Sequence, residues 1–409
     1  MTGPSAAPGA PITAAEARVL ERIDPAALTA LTVQFVNAGG ENPPGDEQGS
    51  VDALTIAAAA AGLASKTEEV APGRPNLTVD LPGGKGPGLM FLGHSDVVPA
   101  GTGWTGDPFA ATVAGGRITG RGACDMKGGL AAVLAAMSAL REEGVALSGP
   151  VSLVCTVDEE DLDLGIRAYV AQESALPAGR RRRWAGCVVA EPTNLETVIA
   201  CRGDAYFRIR VRGVPAHSGR PEDGRNAIDA AARIVDLIRA DHAALAAAPE
   251  DLIGAGTWNV GTIEGGQATT TVPAHCNLTA DRRLLPGEDP EAIRVELVRR
   301  IEAAGITGDG IAVEVEEAMF MPGFRTAADH PLTAAAGAAL RAVGREPRLS
   351  GWTAACDGGF IDRDLGVPTV VLGPGDLNAQ AHQVDERVEV DDLLAAARAY
   401  ALLALRTLA

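Results

Sequence analysis

An imidazole and a carboxylate stand two residues apart in Gly93-His94-Ser95-Asp96-Val97-Val98-Pro99, directly after the apolar run 88–92, GLMFL. An isolated His-x-Asp is more often a hydrogen-bonded turn than a metal site, so its meaning depends on what else the chain supplies. Groups of the same chemical type recur. Asp125 sits in GRGACDMKGG before a helical segment, Asp158-Glu159-Glu160 follow VSLVCTV, Glu191 follows GCVVA, and His382 lies in QAHQVDE beyond PTVVLGPG. The apolar runs read as buried strands, so each strand-linked position falls beyond a strand's carboxyl end, where open α/β sheets build their sites.

Two divalent metals about 3.5–4 Å apart require a bridging carboxylate and terminal ligands on each side, leaving a water or hydroxide between them as nucleophile. Asp125 suits the bridge. His94 with Glu191 can complete one metal and Glu160 with His382 the other, a symmetric nitrogen and oxygen set typical of zinc. Asp96 then accepts the free imidazole N–H of His94 and fixes its tautomer. Glu159, beside a ligand but not needed as one, can take a proton from water and return it to a leaving amine. Alone, the acidic DEED run is a solvated loop; with the other four blocks the catalytic reading prevails.

The elements that must carry these groups follow from periodicity. LMFLG, VSLVCTV, GCVVA and PTVVL read as strands, while 128–143, 165–175, 331–343 and 391–407 carry helical spacing, and Thr13-Ala14-Ala15-Glu16 has the form of a capping box. That alternation predicts an α/β sheet with helices on both faces. Residues 205–318 break the pattern with the order β-α-β-β-α-β, which predicts a ferredoxin-like unit inserted into the α/β domain. The expected organisation is 1–204 and 319–409 as two parts of one domain, with 205–318 between them.

Composition narrows the partners. The 409 residues carry 35 basic and 53 acidic side chains, a formal charge of −18, which repels phosphate backbones and anionic lipid. Neither nucleic acid nor membrane is an expected partner, and the Arg180–Arg183 cluster reads as a solvated turn. Six scattered cysteines without a C-x-x-C pair read as reduced, buried thiols. MTGPSAAPGAP lacks the basic and apolar regions of a secretory signal, and LTIAAAAAGLA and LAAVLAAMSAL are too short to span a bilayer, so a cytoplasmic protein is expected.

Together these blocks resemble the two-zinc aminoacylase, acetylornithine deacetylase and succinyl-diaminopimelate desuccinylase family of metallopeptidases and deacylases, which also contains dipeptidases and glutamate carboxypeptidases. The resemblance runs from NPPGDE (42–47) through GHSDVVPAG, GRGACDMKGG, DEE, AEPT, VRGVPAHSGRPEDGRNAI, GGQATTTVP and DRRLLPGED to GPGDLNAQAHQVDERVEVDDL. It implies a zinc-peptidase-like α/β catalytic domain with an inserted dimerisation domain. It also implies the ligand set reached above, Glu159 as general base, and two metal ions per chain, zinc first and cobalt or manganese as substitutes. By the same resemblance His217 in AHSG reaches from the inserted domain into the neighbouring subunit's site and stabilises an oxyanion. Asn226 and Arg283 fall where relatives bind the substrate carboxylate, and Arg202 in CRGD lies near that pocket.

Relatives with Glu at the position of Glu191 tend to be deacylases and those with Asp peptidases. The implied activity is therefore hydrolysis of a small N-acyl-amino acid or related amine by a homodimer. A dipeptidase or carboxypeptidase of the same family is the alternative, and a catalytically silent metal-binding dimer scaffold is a third reading that Glu159 argues against. Two features depart from the family pattern: Thr270 replaces the usual Asn of GG-x-x-x-N-x-VP, and DLDLG after DEE is unusually acidic.

Overall fold

The computed structural model describes residues 11–409; the stretch 1–10, with most of the segment read as lacking a secretory signal, lies outside them. The chain divides into two compact units. One takes in the chain up to Ile199, Arg325–Ser350 and Phe360–Ala409, and the other Ala200–Phe324 and Gly351–Gly359. The boundaries expected at 204/205 and 318/319 thus fall a few residues inside the second unit. That unit also holds Gly351–Gly359, because Gly351 lies against Leu252 and Ile253 and the Cys356 sulfur is 4.0 Å from that of Cys201.

In the first unit the central sheet runs, in spatial order, Ala64–Ala71, Arg74–Leu81, Val151–Thr156, Gly88–His94, Trp184–Val189, Thr369–Val371 and Thr197–Cys201. The four strands anticipated from apolar runs are the central parallel ones, buried on both faces as continuous apolar runs require. Their register decides the height of the groups that follow. His94 lies opposite Thr156, and Leu92 opposite Val189, so His94 and Glu191, each two residues farther on, emerge level on neighbouring strands.

Helices Gly128–Glu143 and Val390–Leu408 are among the most buried elements and pack on each other beneath this sheet. Tyr400 anchors the second helix, its ring 5.1 Å from that of Phe91 and its hydroxyl donating to the Leu372 carbonyl at 2.6 Å. Thr13 caps the Ala14–Glu21 helix through the expected reciprocal box with Glu16. Helices Pro25–Asn37 and Gln48–Ala60 and the hairpin of Ala64–Ala71 with Arg74–Leu81 add to the anticipated elements. The 21-residue helical stretch Ala123–Glu143 is longer than its apolar run suggested and long enough to cross a membrane, but 89% of its apolar window is buried inside the fold. It is a core helix.

The second unit is an antiparallel sheet in the order Thr257–Gly265, His275–Leu284, Gly203–Arg212 and Ala312–Met321. Helices Ala227–Leu245 and Pro290–Ala303 cover one face, giving the predicted β-α-β-β-α-β order. Phe207, Ile209, Leu278 and Ile234 fill the space between sheet and helices. All six cysteines are buried free thiols. Arg182 of the basic cluster pairs with Asp80 at 2.7 Å, and Arg181 donates to the Leu176 carbonyl at 2.8 Å, so the cluster fixes a surface turn.

Gly129 helps set how closely the Asp125 segment approaches the sheet. A Cβ on Gly129 would stand 2.1 Å from the backbone oxygen of Ala190, next to Glu191. Gly129→Ala should therefore push the helix off the strand and lower stability by about 1–3 kcal/mol, the usual cost of overpacking a core. Urea unfolding followed by circular dichroism measures it; a loss below about 0.5 kcal/mol would mean that this contact yields easily.

Candidate active site

Each of the five ligand-type residues sits where a strand or its following turn ends. His94 closes the Gly88–His94 strand and is 1% exposed. Its Nδ1 lies 2.9 Å from the carbonyl oxygen of Asp96 and 3.5 Å from the Asp96 carboxylate, so the carbonyl is the nearer acceptor for an Nδ1 proton. The Nε2 is then left facing Asp125 at 3.3 Å and Glu191 at 3.2 Å. On the other side His382 Nε2 lies 3.5 Å from Asp125 and 3.1 Å from Glu160. Asp125 thus has one carboxylate oxygen toward each imidazole. The turn that presents it, Ala123–Lys127, leaves helical geometry at Asp125 (φ −115°, ψ 93°) before the Gly128–Glu143 helix begins, and the Asp125–Met126 peptide is cis.

Glu159 belongs to the same cluster. One ligand atom each from His94, Glu159 and Glu191 lie within 4.8 Å of one another, as do those of His94, Asp125 and Glu160. The turn carrying Glu159 and Glu160 is tied to Asp96, whose buried carboxylate accepts their backbone N–H groups at 3.3 and 3.1 Å. Asn42 donates to both Asp96 and Asp158 at 2.9 Å, and Arg74 joins Asp158 to the buried Glu47. The NPPGDE block, to which sequence reasoning gave no role, therefore mounts the turn from below. Only a spatial map reveals this, since Asn42 and Asp158 are 116 residues apart.

The electrostatics are those of carboxylates crowded out of water. Burial and then the neighbouring Asp125 charge push the Glu191 carboxyl up to about 8, and the same two causes raise Glu160. Burial disfavours charge on His94, yet Glu191, Asp125 and Asp96 hold its imidazole well above the ordinary value. Hydrogen bonding to Asp125 and Glu160 raises His382 to about 10. Glu160 Oε1 is buried without any hydrogen-bond partner. A clustered oxygen and nitrogen donor set with an orphaned carboxylate oxygen is what a divalent cation satisfies, so these residues fit a metal centre.

The remaining four predicted residues lie in the second unit. His217 is exposed, and its Nδ1 accepts from the Gly219 N–H at 3.0 Å. Thr270 contributes its carbonyl to the adjacent Ser218 N–H at 3.0 Å. Asn226 caps the Ala227–Leu245 helix through its side-chain oxygen and lines a cavity of about 530 Å³ with Ser218 and Gln267. Arg283 is paired with both Asp204 and Asp281 at 3.1 Å. Arg202 donates to the Ile253 carbonyl at 2.7 Å; burial, then Arg283 and Arg282, lowers its pKa.

A parallel sheet whose strand ends bring imidazoles and carboxylates into one cluster, in a chain that also carries a ferredoxin-like insert, is the architecture of a metal-dependent hydrolase. The chain belongs to peptidase family M20/M25/M40, whose pattern matches residues 90–406. It is 36% identical to an acetylornithine deacetylase of Myxococcus xanthus over 335 residues, covering 77% of this chain and 80% of the relative. With a succinyl-diaminopimelate desuccinylase of Gluconacetobacter diazotrophicus it shares 32% identity over 400 residues, 93% of this chain and 97% of the relative. Among solved structures, aminopeptidase PepT of Bacillus cereus matches with a TM-score of 0.74 at 24% identity, over 94% of this chain and 99% of that one. The YXEP protein of Bacillus subtilis, described as a dinuclear metal binding peptidase, matches with a TM-score of 0.71 at 16% identity, over 94% and 99% of the two chains. These likenesses establish the fold.

If the cluster is a metal centre, cobalt or zinc should raise the melting temperature of protein stripped by a chelator. Saturation at 100 times the dissociation constant stabilises by about 2.7 kcal/mol. Calorimetric melting with and without the ion checks it, and no shift at millimolar metal would exclude a site here.

Proposed function

We propose that this hydrolase is a deacylase, cleaving the amide of a small N-acyl-amino acid or related amine as a cytoplasmic homodimer with two zinc ions per chain. The observation that carries this reading is Glu191 at the ligand position beside His94, where the resembling family tends to use Glu in deacylases and Asp in peptidases. The two relatives described above, at 36% and 32% identity, bear deacylase names.

His94, Glu191, Asp125, Glu160 and His382 would hold the ions, with Asp125 shared. Bound metal would supply Lewis acidity there and lower the pKa of the attacking water. Glu159 takes a proton from the water whose oxygen bonds to the amide carbonyl carbon, and returns it to the amide nitrogen as the C–N bond breaks, so the amine leaves neutral. Asp96 holds His94 with its Nε2 turned toward the centre and, through the amides of Glu159 and Glu160, fixes the base relative to the ligands. His217 donates a hydrogen bond to the carbonyl oxygen as negative charge develops on it. Asn226, Arg202 and Arg283 are the candidates for the substrate carboxylate.

A panel of N-acetyl- and N-succinyl-amino acids set against dipeptides tests the substrate class. Wild type should turn over an acyl-amino acid, and Glu159→Gln should lose about 10²–10⁴-fold in kcat while retaining its metal. Faster turnover of dipeptides than of every acyl-amino acid would favour the dipeptidase alternative. Near wild-type activity in Glu159→Gln would remove Glu159 from the mechanism.

Sharing of His217 between subunits has its own test. His217→Ala should lose activity with metal content intact, by roughly 2.7–4 kcal/mol in the barrier, the cost of one oxyanion donor in a studied hydrolase. Mixing this variant with Glu159→Gln, after subunit exchange verified by mass label, should restore activity through heterodimers with one intact site. Verified exchange without recovery would mean that His217 acts within its own chain or only structurally.

A further inference from the structure

Glu386 lies four residues beyond His382 on the same segment, and the mechanism above gives it no task. Its carboxylate is entirely buried. Four donors converge on it: Cys124 and Asp125 backbone N–H groups reach Oε1 at 2.8 and 2.9 Å, and the Gly122 N–H and Arg121 Nη1 reach Oε2 at 3.1 and 2.7 Å. Two of these are amides of the turn that presents Asp125, and a third, that of Gly122, directly precedes it. A turn that leaves helical geometry needs outside acceptors for its amides, and this one finds them on the segment that carries His382.

The two segments are cross-tied at further points. The Gly120 N–H donates to the Glu386 carbonyl at 2.9 Å, and Arg121 Nη1 also reaches the Gln383 carbonyl at 3.2 Å. His382 and Asp385 both hold left-handed backbone, with φ of 62° and 53°. For residues other than glycine that conformation persists only where surrounding contacts over-determine it. Asp385 receives its own fixing bonds from Thr105, at 2.9 Å from the backbone N–H and 2.6 Å from the hydroxyl. The His382 imidazole, by contrast, is 54% exposed and receives little support from packing around it. What fixes it relative to Asp125 is the backbone beneath it.

We infer that Glu386 is a positioning residue that locks the turn bearing Asp125 to the segment bearing His382, and thereby sets the affinity of the half-site formed by Asp125, Glu160 and His382. The assignment rests on the metal-centre reading. Both oxygens of Glu386 must accept. In Glu386→Gln one arm becomes an NH2 group, and in either amide orientation it faces donors, so shape is kept while the clamp is broken. Glu386→Asp keeps the charge and both acceptors but retracts them by one methylene.

The test is a cobalt titration of chelator-stripped protein, read by calorimetry and by the visible absorption of the bound ion. Wild type should take up two ions. Glu386→Gln should keep one with near wild-type affinity and bind the other about 10–100-fold more weakly, with an altered absorption band, the usual scale for removing support from a metal ligand. Glu386→Asp should fall between them, and it carries the test if the Gln variant does not melt cooperatively. A merely structural glutamate would lower the melting temperature and leave both affinities and the spectrum unchanged; that result in a folded variant overturns the assignment. A wild-type chain that takes up no cobalt overturns the metal reading and this inference with it.

Discussion

Asp125 stands between two imidazoles, one carboxylate oxygen 3.3 Å from His94 and the other 3.5 Å from His382, inside a cluster that also holds Glu159, Glu160 and Glu191. Gathering that many carboxylates out of water is unfavourable unless cations or donors meet them, because an uncompensated buried charge costs several kcal/mol. The chain meets the cost by distributing the charges over separate segments and giving each one a fixed backbone. The parallel register levels His94 with Glu191, and the irregular turn before the Gly128–Glu143 helix brings Asp125 between them. Gly129 removes a Cβ that would stand 2.1 Å from the Ala190 carbonyl oxygen and keep that turn at a distance.

The two halves of the cluster are held by different means. On the His94 side the support is buried and polar: Asp96 accepts from Asn42 and from the amides of Glu159 and Glu160, and Asp158 ties Asn42 to Arg74 and Glu47. Every member of that chain has a partner, which is the condition under which a buried polar network makes a structure rigid. On the His382 side the imidazole is half exposed, on a left-handed backbone, and the support runs through Glu386 and Arg121. Arg121 is itself buried, with its guanidinium 5.1 Å from the Trp104 ring. Glu159, proposed above as the base, belongs with the half held by this buried network, which would keep its reach to a water constant.

The insert has its own electrostatic arrangement. Arg283 lies between Asp204 and Asp281, opposite Asp204 in the strand register. Burial raises the Asp204 carboxyl to about 7, with Arg283 opposing and Asp281 adding to the rise. An arginine engaged by two carboxylates has little net charge to offer a substrate, whereas among the described residues the Arg202 side chain is held by the Ile253 carbonyl and lies near the positive charges of Arg283 and Arg282. Of the two arginines that the family resemblance suggests, Arg202 is therefore the freer to meet a carboxylate.

Local sequence determined the parts of this protein whose cause is local. Short apolar runs such as LMFL and CVV suit strands buried on both faces of a parallel sheet, and the β-α-β-β-α-β order of the insert is written in its alternating and helical periods. The ligand-type residues were legible for the same reason: each is next to a strand end or a helix start, and the topology of a parallel sheet brings those ends together. What depends on contacts far apart in the chain was not legible. The pairing of Asn42 with Asp158, of Glu386 with the amides around Asp125, and of the Gly351–Gly359 segment with the insert each joins residues about a hundred or more positions apart. The sequence pattern assigns Glu386 no role. Only folding takes it out of water and surrounds it with four donors, because burial and hydrogen-bond geometry are properties of the assembled structure and not of a residue's neighbours in the chain.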